Sequence, residues 1–285
     1  MKCSVVCIAL IGWLSAAADA TTSVGDGRPC AGPGHGKLLI HGGSGDPADY
    51  SRRGLEFCGG ADAHVVIVPY AAGTIDFTSK EELEGFTKRW TDVGAKSVTV
   101  LDVSDEPRAL DAVQKADYIF FSGGDQKDLM TWMDKSPTIM DAIRKRHAAG
   151  ALIGGSSAGA AAMSKLMIVG GETADLTAIR SGGTQLSNGL GFWPEVITDQ
   201  HFVKRQRLAR LFSAVLDNPK YPGIGIDEAT AVLVSGNTFE VFGSGSVVVL
   251  DARHADVKPA KTGEIQAATG LHVHVLRAGD RFQWR

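Results

Sequence analysis

Gly155-Ser156-Ser157-Ala158-Gly159 sets a serine among small residues, after the apolar run ALIG and before the alanine-rich stretch AGAAAMSKL. A Gly-x-Ser-x-Gly pattern between a strand and a helix is what a nucleophile elbow requires, because only small residues fit so tight a turn. The serine is then raised above the sheet edge at a helix start, where backbone N–H groups can hold an oxyanion. The donors expected are Ala158 and one of Gly123-Gly124, with Gly124 preferred. Ser156 is the rival nucleophile, and the central place in the pentapeptide favours Ser157. The alternative for the whole motif is a glycine-rich turn without chemistry.

A serine at neutral pH needs a base, and the base needs an orienting group. Of the eight histidines, His201 stands in Thr198-Asp199-Gln200-His201-Phe202, between an apolar run and a helix-like stretch. His64 opens a strand and His147 lies on a charged helix face. His272 and His274 alternate along a strand with no third metal ligand in view. The third member is Glu228 or its neighbour Asp227, an acidic pair closing the apolar run Gly223–Ile226. Such a pair is costly to bury without a partner; the plain alternative is a solvated turn. The order Ser, His, acid differs from the Ser, acid, His of α/β-hydrolases. After His201, the spacing of Leu208, Leu211, Phe212 and Val215 predicts the buried stripe of a helix. Arg205, Arg207 and Arg210 lie off that stripe. They form either a solvated basic face or a grip on a substrate carboxylate through forked hydrogen bonds.

The elements that must position these residues follow from the apolar runs. Strands are expected at Lys37–His41, His64–Val68, Ser97–Val103, Asp117–Phe121 and Ala151–Gly154, with helices between them. The best marked helix is Ser136–Gly150, with Ser136 at the N-cap and Pro137 at the first helical position. Alternating strands and helices imply a parallel sheet covered on both faces, with ligands bound beyond the carboxyl ends of the strands. The glycine clusters 41–45, 122–125 and 154–159 fall at those ends. Later, Ala231–Ser235, Thr238–Phe242 and Ser246–Leu250 read as antiparallel strands joined by hairpins, and one more strand is expected near His272–Arg277.

The chain has 285 residues, 44% of them hydrophobic and 21% charged, which fits one large domain. A net charge of −3 gives no general attraction to nucleic acid or an anionic membrane. Lys2, a short apolar run and Ala18-Asp19-Ala20 form a signal-peptide pattern, with cleavage expected after Ala20 and a secreted or periplasmic product. The remaining cysteines, Cys30 and Cys58, form either a disulfide, as export allows, or two thiols. The expected division is a signal peptide at 1–20, a Gly/Pro-rich segment at 21–36, a catalytic domain at 37–255 and a C-terminal extension at 256–285 packed on it.

FFSGGDQ (120–126), GGSSAGAAAMS (154–164), GLGFWPEVITDQHFVKRQRLARL (189–211) and GIGIDEATAVLV (223–234) together resemble the cyanophycinases, serine peptidases related to the aspartyl dipeptidases. The resemblance spans about residues 37 to 250. It implies a three-layer αβα fold with a mostly parallel sheet, like class I glutamine amidotransferases and flavodoxin, followed by C-terminal antiparallel strands. It implies a triad of Ser157, His201 and Glu228, with Gln126, Asp199, Gln200, Arg205, Arg207 and Arg210 around the substrate, no metal or organic cofactor, and a possible homodimer. The implied substrate is cyanophycin, a poly-aspartate bearing arginine on each β-carboxyl, released as β-Asp-Arg dipeptides through an acyl-enzyme. Other β-aspartyl or α-aspartyl dipeptides are the alternative, and a catalytically silent binding protein a third. Family members commonly carry threonine before the nucleophile, where this chain has Ser156.

Overall fold

A computed structural model describes residues 36–169 and 178–284. Five apolar runs form the parallel half of its main sheet: β1 (Leu38–His41), β2 (His64–Val68), β3 (Ser97–Val100), β4 (Tyr118–Phe121) and β5 (Leu152–Ser156). The third ends at Val100, short of the expected Val103. Helices α1 (Pro47–Glu56), α2 (Lys80–Thr91), α3 (Glu106–Lys115), α4 (Gln126–Asp134) and α5 (Pro137–Ala148) connect them. The inner strands β1, β2 and β4 are apolar at consecutive positions because both faces are covered, whereas the edge strand β3 alternates Ser97-Val98-Thr99-Val100 and is half-buried. Leu39, Val65, Ile67, Tyr118 and Phe120 share a core with Tyr50, Leu55 and Trp90 of α1 and α2. The alternate residues Leu38, Ile40, Val66, Ile119, Phe121 and Ile153 face Val113, Leu129 and Ile143 of α3, α4 and α5. This period of two is the strand pleat sorting side chains between two helical layers. Ser136 sits at the N-cap of α5, but its side chain makes no capping bond.

After β5 come the one-turn helix α6 (Ala158–Ala161), the antiparallel pair β6 (Leu166–Ile168) and β7 (Leu186–Asn188), then β8 (Ile197–Gln200), α7 (Leu208–Asp217) and β9 (Gly223–Ile226). The antiparallel strands β10 (Thr230–Ser235), β11 (Thr238–Gly243) and β12 (Val247–Asp251) follow. Residues beyond 255 add four strands rather than the single one expected: β13 (Asp256–Val257), β14 (Ala268–Thr269), β15 (His272–Leu276) and β16 (Arg281–Gln283).

The main sheet runs β3-β2-β4-β5-β1-β10-β11-β16, parallel up to β1 and antiparallel beyond it. A second sheet, β8-β9-β12-β15, is covered by α7 through Leu211, Ala214 and Val215. The stretch between β9 and β10 carries the chain from the second sheet back beside β1, where the Gly42 N–H donates to the Thr230 carbonyl at 2.9 Å. The carboxyl ends of β1, β5 and β8 thus meet the start of β10. Among the described residues, no helix is long and apolar enough to cross a membrane.

Candidate active site

Ser157 stands between β5 and α6 with φ 54° and ψ −111°. The two glycines of its motif are required by close approach: a Cβ on Gly155 would lie 2.5 Å from the Gly159 carbonyl, and one on Gly159 would lie 2.2 Å from the Phe121 oxygen. Ser157 Oγ is 2.9 Å from Nε2 of His201, and Nδ1 of His201 is 2.7 Å from Oε1 of Glu228. The carboxylate can only accept, so Nδ1 carries the proton and Nε2 receives the serine hydroxyl. The two open alternatives close. Ser156 turns the other way, its Oγ 3.1 Å from Nδ1 of His41. Asp227 accepts the Lys204 N–H at 3.0 Å and leaves the imidazole to Glu228.

Burial holds the His201 pKa below its ordinary value. The hydrogen bond to Glu228 pulls upward and the charges of Arg205 and Arg207 push further down. The ring is therefore a neutral base near pH 7. The hydrogen bond from His201 holds the Glu228 carboxyl below its usual value, aided by Ser44 and by the charge of Lys204.

One strap organises all three loops. The carbonyls of His41, Gly42 and Gly43 accept in turn from the N–H groups of Ser157 (3.1 Å), His201 (2.8 Å) and Ala229 (2.9 Å), the last next to Glu228. Each of these donors has positive φ, at 54°, 47° and 51°. In the sequence, 41–45 stands out only as a glycine cluster, and His41 has no expected role. The glycine pair at a strand end was the available signal. His41 is buried, which pushes its pKa down to about 4, with further repulsion from Arg89 and His201.

On the oxyanion side, Gly123 lies against Ser157, and no described acceptor takes the N–H of Gly123 or Gly124. Ala158 opens α6, where first-turn N–H groups have no intrahelical acceptor.

The expected substrate residues divide. Arg205 is exposed beside His201. Arg207 and Arg210 are buried, which overturns the reading of a solvated basic face. Nε of Arg210 donates to Asp199 Oδ2 at 2.7 Å and its second nitrogen contacts Oδ1, while Arg207 donates to the Gln200 carbonyl at 2.7 Å. Asp199 is thus engaged as the counter-ion of Arg210. Gln126 is also buried, its amide nitrogen committed to the Ile168 carbonyl at 2.9 Å. Gln200 keeps a buried side-chain oxygen with no described donor. The helix expected just after His201 begins only at Leu208, because residues 202–207 form turns with Gln206 at φ 53°. Leu208 is exposed rather than part of the buried stripe. No group of three or more His, Cys, Asp or Glu among the described residues could hold a metal ion. Cys58 is buried, and its expected pairing with Cys30 falls outside the described residues.

The chain as a whole is similar to known proteins. The profile of Peptidase family S51 matches residues 38–242. A cyanophycinase of Geminocystis herdmanii is 34% identical over 258 residues, covering 86% of this chain and 92% of that protein. One from a Nostoc species is 36% identical over 234 residues, covering 79% and 76%. The crystal structure of a peptidase from an acI-B1 Actinobacterium matches the fold with a TM-score of 0.64 at 24% identity, over 89% of this chain and 98% of that one. With its profile match covering most of the chain, the protein belongs to Peptidase family S51 and is a serine-type peptidase.

Proposed function

We propose that the protein is an exported serine exopeptidase that hydrolyses cyanophycin to β-Asp-Arg dipeptides. The observation that carries this reading is the unbroken hydrogen-bonded chain from Ser157 through His201 to Glu228. The relatives named cyanophycinase support the choice of polymer. His201 Nε2 takes the Ser157 proton as Oγ attacks a backbone amide carbonyl between neighbouring aspartates. The oxyanion forms against the N–H groups of Ala158 and of Gly123 or Gly124. His201 then gives its proton to the leaving amine, leaving an acyl-serine. Water, deprotonated by the same nitrogen, hydrolyses that ester and restores the hydroxyl. Glu228 holds the ring and offsets its transient charge.

Each unit of the polymer carries one free carboxylate, that of its arginine, and the exposed Arg205 beside the base suits it, whereas the charge of buried Arg210 is already met by Asp199. Export rests on Lys2, the apolar run and Ala18-Asp19-Ala20; a mature protein whose N-terminus is Thr21 is the expected sequencing result. The test of function is mass spectrometry of cyanophycin incubated with residues 21–285. A β-Asp-Arg product that disappears with Ser157→Ala is expected. No cleavage by folded protein would overturn the polymer as substrate, and a panel of β- and α-aspartyl dipeptides would then identify a dipeptidase.

A further inference from the structure

The strap that carries the three loops is itself held by a side chain. The Gly43 N–H donates to Nδ1 of His41 at 3.3 Å, and Ser156 Oγ lies 3.1 Å from the same nitrogen. A backbone N–H can only donate, so Nδ1 is an acceptor, the ring is neutral, and its proton sits on Nε2. The ring rests on Tyr50, with centroids 4.6 Å apart, and Tyr50 is fixed by its hydroxyl bonds to the Leu39 carbonyl and to Tyr118, both 2.9 Å. His41 also lines a cavity of about 430 Å³ together with Tyr50, Ala229, Ala231 and Ser244, on the α1 side of the strap.

Gly43 in turn touches the base. A Cβ there would lie 2.3 Å from Cε1 and 2.4 Å from Nε2 of His201. We infer that His41 is a positioning residue for the peptidase reaction. Its Nδ1 lone pair seats Gly43 against the His201 ring and turns Ser156 away, so that Ser157 alone meets the base. The inference rests on the proposed function only in taking Ser157 and His201 as the reacting pair.

Two conservative variants separate this role from simple packing. His41→Asn places an amide oxygen where Nδ1 stood, whereas His41→Gln places its amide where Nε2 stood. The readouts are the rate of Ser157 phosphonylation by a fluorophosphonate, in which Oγ bonds to phosphorus and fluoride leaves, kcat and KM for peptide hydrolysis, and the melting temperature. A shift of about 1 Å in the base costs on the order of 100-fold in rate. The expected result is that His41→Asn is phosphonylated within about fivefold of the wild-type rate, while His41→Gln falls at least thirtyfold in phosphonylation and kcat with KM nearly unchanged. Equal rates for the two variants, or a faster His41→Gln, would overturn the role of His41 while leaving the triad standing. A folded wild-type protein that is not labelled at Ser157 would instead overturn the triad, and the role of His41 with it.

Discussion

Replacing Gly43 with alanine tests whether the strap sets the distance between base and nucleophile. The new methyl carbon would stand 2.3 Å from Cε1 and 2.4 Å from Nε2 of His201. Carbon contacts are comfortable only from about 3.5 Å, so ring and strap must separate by roughly 1 Å. Nε2 now lies 2.9 Å from Ser157 Oγ. A movement of that size carries the pair to the limit of a useful hydrogen bond or tilts it out of line. Misplacement by about 1 Å costs on the order of 100-fold, so kcat should fall at least that far on the proposed mechanism. Gly43 also has φ 105°, a conformation that alanine adopts at a cost of about 1–3 kcal/mol. The basic groups at 205–210 are untouched, so KM should change much less than kcat. Steady-state kinetics beside a thermal melt would measure both. A folded Gly43→Ala protein with kcat within threefold of wild type would refute the reasoning, because the base would then not depend on the strap.

Four other perturbations read different parts of the site. Glu228→Gln should lower kcat by about 10²–10⁴-fold with little change in KM, since an uncharged amide can donate to Nδ1 as well as accept from it and no longer fixes the tautomer; unchanged kinetics would move the role elsewhere. Asp199→Asn removes the carboxylate that buried Arg210 binds and should destabilise the fold by about 3–5 kcal/mol in urea titration, whereas a loss under 1 kcal/mol would show that other groups compensate. Arg205→Ala removes one of the charges that lower the His201 pKa, so the acid limb of kcat/KM should move to higher pH; a move to lower pH would contradict the electrostatics. His41 titrates near 6.5 when unfolded and about 4 when folded, so the unfolded chain binds more protons between those values. Its contribution is complete above pH 6.5 and falls by about 3 kcal/mol as pH drops through 4, and the stability of His41→Asn should vary less across that window.

Local signals pointed to Ser157 through its pentapeptide and to His201 at an element end, and left Asp227 and Glu228 undivided after an apolar run; only the family resemblance implied the full triad. The main sheet was legible for a related reason, since strands covered on both faces read as unbroken apolar stretches. What escaped is built across distance. Lys204–Arg210 has helical composition, but Lys204 is held by Asp227 and Arg207 by the Gln200 carbonyl, which keeps 202–207 in turns and delays α7 to Leu208. Leu208 consequently points outward although its spacing matches a buried stripe. Arg207 and Arg210 looked like a solvated face because the charge that admits Arg210 to the interior lies on another element, at Asp199 of β8. His41 gave no local sign beyond the glycine pair that follows it, for its meaning comes from Ser156, 115 residues away, and from the ring of His201 beyond Gly43.

The strained residues explain why the strap must exist. Ser157, His201 and Ala229 all have positive φ, which costs a non-glycine residue about 1–2 kcal/mol each. Such conformations persist only where the surroundings over-determine them. Here the determinant is visible: each strained residue donates its N–H to one of three successive carbonyls, from His41 to Gly43. A net stabilisation of about 1 kcal/mol per bond roughly offsets the strain at each loop. The three loops are therefore individually near balance, and their common register depends on a single segment. Separate anchors for each loop would allow the nucleophile, base and acid to drift independently. A shared strap converts any displacement into a movement of all three, which preserves the 2.9 Å and 2.7 Å contacts between them. The strap itself is then the place where a small change has the largest effect, and its two side-chain determinants are the absence of a Cβ at Gly43 and the Nδ1 acceptor of His41.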